Sequence, residues 1–434
     1  MIFSLFKEGI WCNVLNTKKI KSGVYFHSFV DKKFKFNRIS VNFVVKMDSK
    51  EVSQNAILSF LLRKRCQQYP NMLDLGKKLQ QLYGANLFSG CKKVGDNQII
   101  TFGISALDDE LSLNGESISK QVAKLLDCII FDPVIESGKF VNEDVDIEKQ
   151  NLVELVESEY NDKKQYAMNQ ALYCLFDGEG YGCNKYGDVD SIRKVENSQL
   201  IEAYKKILES AEVHIMFVGR ENYRDCFDVF KNRFDSINRN NVYISQNEKY
   251  VKLGELKKKV EYDQVLQSKL VLGFASSKKY NSKLDDVIMI MTAILGGTPM
   301  SKLFVNVREK LSLCYYCSAR YDLSKGLIWI ESGVENKNVE RAKTAILEQF
   351  EEIKNGNFSD EDLEKVIIFF ENGLKSTFDS PGGIENYYLL QLCGNNVKSI
   401  SDRIDNIKRI KKQDIIEVAN LYSLVMDYVV TSEV

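Results

Sequence analysis

The chain has 434 residues, of which 44% are hydrophobic and 27% charged, and its 59 basic and 60 acidic side chains leave a net charge of -1. That length predicts more than one domain, and that composition is sufficient to bury ordinary globular cores. The balanced charge gives no general attraction to nucleic acid or to an anionic membrane, so we predict neither as a partner.

The N-terminal stretch MIFSLFKEGIWCNVL is only briefly apolar, because Lys7 and Glu8 interrupt it. A signal peptide needs an unbroken apolar stretch, and a membrane-spanning helix needs about 20 apolar residues, far more than the run at 287–295 provides. The 10 cysteines are scattered through the chain, as is usual for reduced and buried thiols. These observations predict a cytoplasmic protein.

The first half of the chain is predicted to alternate strands and helices. Its elements follow in this order: a strand at 39–45, a polar break at 48–50, a helix through Ala56, a long helix opening at Asn142, a helix at 200–205 and a strand at 213–218. His214 lies in the last strand, in a pattern typical of a buried strand. His27, the only other histidine, lies in an extended segment where no partner is evident. A histidine-based metal or acid-base site would have to be assembled across the fold.

The second half repeats the order of elements in the first, after a polar segment at 238–254 that predicts a linker. Its elements are a strand at 269–274, a break at 278–283, a helix at 286–295, a helix opening at Ser359, a helix at 414–419 and a strand at 427–431. Ser359 and Asp362 resemble a capping box. Cys314 and Cys317 lie close in sequence, but the alternation of a strand would point their sulfurs to opposite faces, so we predict no redox or zinc role for them.

This internal repeat predicts an α+β fold of two similar domains, each a mixed or antiparallel sheet packed with helices. We place the first domain at 1–237, the linker at 238–254 and the second domain at 255–434. Two similar halves can enclose a chamber between them, and such a chamber would suit an extended peptide.

Three stretches resemble the pitrilysin/insulinase family of zinc metallopeptidases, in its branch of paired, processing-peptidase-like halves. They are YPNMLDLGKKLQQLYGANL at 69–87, KYGDVDSIRKV at 185–195 and LGGTPMSKLFVNVREKLSLCYY at 295–316. The third stretch is the most specific. Taken in register, the three pieces imply that the resemblance extends over nearly the whole chain.

Active members of that family carry H-x-x-E-H on a helix of the first domain, because positions i and i+4 lie on one helix face and both imidazoles can reach one zinc ion. The glutamate of the motif takes a proton from the metal-bound water. Aligned here, the motif falls on SFLLR, so that Ser59 and Arg63 replace the histidines and Leu62 replaces the base. Glu154 lies at or beside the position of a third ligand, but a lone carboxylate would not hold zinc. The resemblance therefore implies neither a bound metal nor any other cofactor.

The second-domain motif of the family is retained. In its peptidases an arginine and a tyrosine of that motif help bind the substrate backbone, and they correspond here to Arg308 and Tyr315, with Tyr316 as the alternative tyrosine. Arginine offers several planar donors to a peptide carbonyl or a developing oxyanion. The alternative interpretation is structural: Arg308 pairs with a nearby carboxylate and Tyr315 packs in a sheet.

This pattern resembles the non-catalytic partner in heterodimeric members of the family. We therefore expect an inactive peptidase homologue that binds a peptide or an unfolded protein segment and pairs with a zinc-bearing homologue, a dimer being the expected assembly. Two other interpretations are a structural scaffold subunit and, with little support, an independent zinc endopeptidase.

Overall fold

The structure is a computed structural model that describes residues 15–245, 255–277, 284–394 and 397–433. The predicted polar break at 278–283 lies outside the described residues, and so does the second part of the predicted linker, 246–254.

The first half forms a mixed six-stranded sheet and a separate two-stranded hairpin. Its strands are β1 (Asn16–Lys21), β2 (Val24–Val30), β3 (Phe36–Lys46), β4 (Asn86–Val94), β5 (Asn97–Leu107), β6 (Ile135–Glu136), β7 (Lys139–Phe140) and β8 (Glu212–Gly219). Its helices are α1 (Val52–Leu61), α2 (Met72–Gln81), α3 (Ile118–Phe131), α4 (Asn142–Asn161), α5 (Lys163–Leu175), α6 (Val189–Lys194), α7 (Asn197–Ser210) and α8 (Tyr223–Asp235).

The second half forms a five-stranded sheet. Its strands are β9 (Lys257–Tyr262), β10 (Ser268–Ser276), β11 (Cys314–Asp322), β12 (Leu327–Val334) and β13 (Tyr422–Thr431). Its helices are α9 (Asp285–Thr292), α10 (Val339–Lys354), α11 (Asp360–Thr377), α12 (Pro381–Leu392), α13 (Ile400–Ile407) and α14 (Lys412–Ala419). Two π-helical turns, Ala293–Gly297 and Leu303–Lys310, lie between α9 and β11.

The two sheets repeat the same topology. The first has the order β1-β2-β8-β3-β5-β4, and the second, read from its opposite end, has the order β9-β13-β10-β12-β11. Each sheet contains one parallel pair of strands, β2 with β8 in the first sheet and β9 with β13 in the second. All other neighbouring strands are antiparallel. Strand β1 is an addition to the first half. The predicted α+β duplication is thereby confirmed, and both outer strands, β1 and β9, carry three lysines.

Of two local predictions in the second half, the capping box at Ser359 is confirmed and the facing of the Cys314 and Cys317 sulfurs is not. The capping box is present, with the Ser359 hydroxyl accepting from the amide of Asp362 and the Asp362 carboxylate accepting from the amide of Ser359. The expectation that the sulfurs of Cys314 and Cys317 point to opposite faces is wrong. Strand β11 carries a bulge between Cys314 and Tyr316, which adds one residue and returns Cys317 to the face of Cys314. The two thiols are hydrogen-bonded to each other.

The histidines also differ from expectation, because His27 does have a partner. Strands β2 and β8 are neighbours, and His27 Nε2 lies 3.0 Å from His214 Nδ1. The Thr17 hydroxyl lies 2.9 Å from the other nitrogen of His27, and a carboxylate oxygen of Glu212 lies 3.7 Å from His214 Nε2. Burial lowers the pKa of His27 to about 4, and burial together with the His27 charge lowers that of His214 to about 3. Both rings are therefore neutral at neutral pH.

Each half lends one helix to the other. Helix α5 from the first half packs Ala167, Met168 and Ala171 against Trp329 and Tyr428 of the second sheet. Helix α12 from the second half packs Ile384, Tyr388 and Leu389 against the first sheet, where Phe29 and Val218 are among its neighbours. The opposite face of each sheet carries that half's own helices. The domain boundaries predicted at 237 and 255 stay a prediction. Helices α5 and α12 each pack on the sheet that lies on the other side of these boundaries.

The exchange of helices predicts a large cost for truncating Leu389, which is 2% exposed, and a small one for its neighbour Leu390, which is 37% exposed. We expect Leu389→Ala to lower the free energy of unfolding by about 2–5 kcal/mol, because it opens a cavity between α12 and the first sheet. Urea denaturation measures both variants. Equal effects of Leu389→Ala and Leu390→Ala would contradict the packing.

The histidine pair predicts acid sensitivity. The folded-state pKa values of both histidines lie below the ordinary 6.5, so the unfolded chain binds protons at a pH where the folded chain does not. The contribution of the pair to stability is therefore complete above pH 6.5 and is lost as the pH falls towards 4. We expect a loss of about 2 kcal/mol per histidine by about pH 5. Denaturation of wild type and of the double variant His27→Gln/His214→Gln at several pH values measures it. An unchanged pH slope in the double variant would refute the assignment.

Candidate functional site

A cavity of 660 Å³ lies between the two halves. Its walls include β4 and the turn that follows it, the C-terminal end of β11, and parts of α5 and α12. Strands β4 and β11 occupy equivalent positions, each at the inner edge of its own sheet. Two edge strands, each with one side unpaired within its sheet, therefore face a common space, which we call the chamber.

The chamber is rich in charged side chains. Its lining holds six basic side chains, those of Lys92, Lys93, Lys185, Arg320, Lys398 and Arg403, and four acidic ones, those of Glu159, Asp285, Asp286 and Asp322. Asp286 Oδ2 accepts from Lys398 Nζ at 2.8 Å and its Oδ1 accepts from Arg403 Nε at 3.0 Å. Lys93 Nζ donates to the carbonyls of Tyr181 and Cys183 at 2.8 and 2.9 Å. Burial lowers the pKa of Lys93 to about 8.

Polar contacts close the two halves around the chamber. The Tyr181 hydroxyl of the first half donates to Asp322 of the second. Lys325 Nζ donates to Asp96 at 2.7 Å, and the side chain of Lys325 is only 5% exposed. Arg38 and Glu385 form a further ion pair between the halves. Buried charges of this kind depend on their partners, because an unpaired charge in such a place is costly.

The residues onto which the zinc motif is predicted to align lie at the end of α1. Ser59 is fully buried and its hydroxyl donates to the carbonyl of Ala56 at 2.7 Å. Helix α1 ends at Leu61, and Leu62 and Arg63 belong to a 3-10 turn. Leu62 is buried in the core, whereas Arg63 is exposed with its guanidinium 5.4 Å from the Phe60 ring. An alcohol, an alkyl group and a permanent cation do not supply zinc ligands or a base, so these residues do not fit the metal of the active peptidases.

Ion pairs fasten this turn to α4, the helix that would carry a third ligand. Lys64 Nζ lies 2.7 Å from a carboxylate oxygen of the buried Glu148, and Arg65 makes two contacts with Asp144, at 2.6 and 2.8 Å. Glu154 is exposed on α4 and accepts from Gln150 at 2.8 Å. The contacts of this region are therefore salt bridges and helix-surface hydrogen bonds.

Arg308 lies in the second π-helical turn, a rare geometry that is frequent at functional sites. Its side chain is 41% exposed, its Nε lies 3.6 Å from the neighbouring Glu309, and its guanidinium is 4.7 Å from the Phe304 ring. So long a contact between exposed groups contributes little stability. The guanidinium remains accessible to a ligand.

Tyr315 is the extra residue of the bulge in β11 and is 55% exposed. Tyr316 instead lies flat over Gly333, where an added Cβ would meet its ring at 2.4 Å. Burial raises the pKa of Tyr316, and Ser332 donates to its carbonyl at 2.9 Å. Of the two tyrosines, Tyr315 therefore offers its hydroxyl to solvent and Tyr316 is a packing residue.

Arg308 and Tyr315 do not line the chamber, whose wall on β11 begins at Arg320. Tyr315 and Arg320 are separated by roughly 16 Å along the strand, at about 3.3 Å per residue. Sequence reasoning did not find the chamber residues Lys93, Asp286 and Arg403. The one available signal was the acidic pair Asp285-Asp286 at the start of an apolar helix.

Within the described residues, clusters of metal-ligating side chains and membrane-spanning helices are both absent. In residues 15–245, 255–277, 284–394 and 397–433, no group of three or more His, Cys, Asp or Glu side chains is placed to hold a metal ion. Over the same ranges, none of the helices has both the length and the apolar character that crossing a bilayer requires.

Comparison with known proteins gives consistent results at the level of sequence and fold. Residues 194–368 match the family described as "Peptidase M16 inactive domain". The "Probable inactive metalloprotease YmfF" of Bacillus subtilis strain 168 is 26% identical over 418 residues, which cover 96% of this chain and 97% of that protein.

Solved structures share the fold over the full length. A conserved protein from Enterococcus faecalis V583 is similar with a TM-score of 0.87 and 26% identity, over 96% of this chain and 99% of that one. The peptidase M16 inactive domain from Pseudomonas fluorescens has a TM-score of 0.79 at 14% identity, over 97% and 98% of the two chains. The predicted resemblance to the pitrilysin/insulinase peptidases is thereby confirmed: part of the chain matches the M16 inactive-domain family, and nearly all of it is similar to a probable inactive metalloprotease.

Proposed function

We propose that this chain is a non-catalytic subunit that binds an extended peptide or unfolded protein segment and pairs with a zinc-bearing homologue. The observation that carries the proposal is the chamber, in which the equivalent edge strands β4 and β11 face a shared space of 660 Å³. An edge strand has unpaired N–H and C=O groups, and an extended peptide is their natural partner.

The lining of the chamber supports a peptide ligand over an apolar small molecule. Charged side chains of both signs surround the space, and they suit the carbonyls, amides and mixed side chains of a peptide. None of the nine described cysteines forms a disulfide, which supports the predicted cytoplasmic location.

The accessible Arg308 and Tyr315 support the pairing with a homologue. They lie outside the chamber, with side chains turned to solvent. There they are available to a substrate held at the active site of a second chain. Their guanidinium and hydroxyl groups would donate hydrogen bonds to the backbone of that substrate, the role that the family resemblance implies.

A scaffold role is the second candidate. Adjacent apolar side chains on α11, Ile368 and Phe369, are 50% and 44% exposed, and apolar groups of this size at the surface favour contact with another chain. Assembly through α11 would require neither Arg308 nor Tyr315, so the two roles are separable.

Occlusion of the chamber tests peptide binding. Gln165 is exposed on α5 and lines the chamber, whereas Tyr173 is exposed on the same helix and does not. We expect Gln165→Trp to weaken binding of a fluorescent unstructured peptide at least about tenfold, because the indole takes up space that the peptide needs. Tyr173→Trp is the matched control. Fluorescence anisotropy measures both, and equal affinities of the two variants would contradict binding in the chamber.

Removal of the second-domain donors tests the pairing. With a zinc-bearing homologue supplying peptidase activity, we expect Arg308→Ala and Tyr315→Phe to reduce the stimulation of cleavage by about 10-fold or more, as for loss of an oxyanion donor, while the complex stays intact in gel filtration. Arg341→Ala and Tyr262→Phe remove exposed side chains of the same types and should have no effect.

Three outcomes would count against that pairing. Undiminished stimulation of cleavage in both donor variants would favour the scaffold role, which requires neither side chain. Wild-type chain that neither binds the homologue nor changes its cleavage would reject the pairing itself. Stoichiometric zinc in the chain purified alone would overturn its assignment as non-catalytic.

A further inference from the structure

A pair of buried thiols lies next to the residues onto which the zinc motif is predicted to align. Cys66 lies two residues after the turn Leu62–Lys64, and Cys128 lies on α3. Their Sγ atoms are 3.0 Å apart, although 62 positions separate them in sequence. A disulfide has its sulfurs about 2.05 Å apart, so a movement of about 1 Å would join them.

Backbone hydrogen bonds hold both cysteines in place. Cys66 exchanges two with Tyr69, at 3.0 and 2.9 Å, and the amide of Gln67 donates to the carbonyl of Asp132 at 2.8 Å. The amide of Asp132 in turn donates to the carbonyl of Cys128 at 3.0 Å. The loop that carries Cys66 is thus tied to the end of α3, and the short distance between sulfurs is a property of the local backbone.

The two thiols are chemically unequal. The hydrogen bond between the two thiols lowers the pKa of Cys128 to about 7, whereas the same bond and burial raise the pKa of Cys66. Burial raises the pKa of two other thiols, those of Cys91 and Cys393, to about 12. Because the thiolate is the nucleophile, Cys128 is the better nucleophile of the pair, and Cys66 is positioned to react second.

We propose that Cys66 and Cys128 form a reversible oxidation site, at which a small peroxide converts the two thiols into a disulfide. The Cys128 thiolate attacks one peroxide oxygen, the O–O bond breaks, and a sulfenic acid forms with release of water. The Cys66 sulfur then displaces the sulfenic oxygen as a second water. In total, two thiols and one hydrogen peroxide give one disulfide and two waters, and a thiol reductant reverses the change.

The disulfide would tie the segment after α1 to α3, beside the ion pairs that fasten the same segment to α4. This site is independent of the proposed peptide binding, because neither cysteine lines the chamber. It requires only that the chain meets peroxide while folded.

Peptide mapping tests the proposal without a variant. Trypsin releases CQQYPNMLDLGK, residues 66–77, and LLDCIIFDPVIESGK, residues 125–139, each with one cysteine. Folded full-length protein is treated with hydrogen peroxide, alkylated and digested. We expect the two peptides linked, two hydrogen atoms lighter than their sum, and separated by dithiothreitol. Because the link closes a long loop, we expect the melting temperature of the oxidised protein to rise by roughly 2 °C or more.

Variants separate the two chemical steps. In Cys66→Ser we expect a sulfenic acid on Cys128 that a dimedone probe captures, whereas Cys128→Ser should form neither product. Cys314→Ser is the control, since it removes a thiol from the other hydrogen-bonded pair and should leave the linked peptides unchanged. Unmodified thiols at 66 and 128, their conversion to sulfinic acid without a link, or a link that forms only in urea would each overturn the proposal.

Discussion

The exchange of α5 and α12 between the halves is the constraint on which the remaining structure depends. A sheet with one bare face would expose a layer of apolar side chains, and each half covers that face with a helix from the other. The two halves therefore cannot separate without uncovering Trp329 and Tyr428 on one side and Phe29 and Val218 on the other. Burial of apolar area, the dominant favourable term in folding, joins the halves more firmly than their ion pairs do.

This arrangement also produces the chamber. The two exchanged helices lie on different sheets and leave the inner edges, β4 and β11, facing a common gap that α5 and α12 partly enclose. The polar contacts Tyr181–Asp322 and Lys325–Asp96 then fix the width of that gap at one end. A space framed in this way is a consequence of the duplicated topology and does not depend on the side chains at the end of α1.

Sequence patterns predicted the elements well where the physics is local. The Ser359 capping box depends on residues three apart, and the strand at 213–218 is a continuous apolar run, observed as Glu212–Gly219. Contacts between distant segments were beyond such reasoning. The meeting of His27 with His214 depends on the neighbouring positions of β2 and β8, and the shared face of Cys314 and Cys317 depends on one bulge. The charged wall of the chamber likewise draws on segments more than 300 positions apart, from Cys91 to Arg403.

The lysines on the two outer strands have a consequence for behaviour at high concentration. Strands β1 and β9 each present three of them at the solvent edge of a sheet, where like charges oppose the approach of a second, identical edge. The inner edges carry the capacity for backbone pairing, but they are enclosed. The edges that could pair with another backbone therefore lie inside, and the lysine-bearing outer edges resist the ordered stacking of sheets that exposed edges otherwise permit.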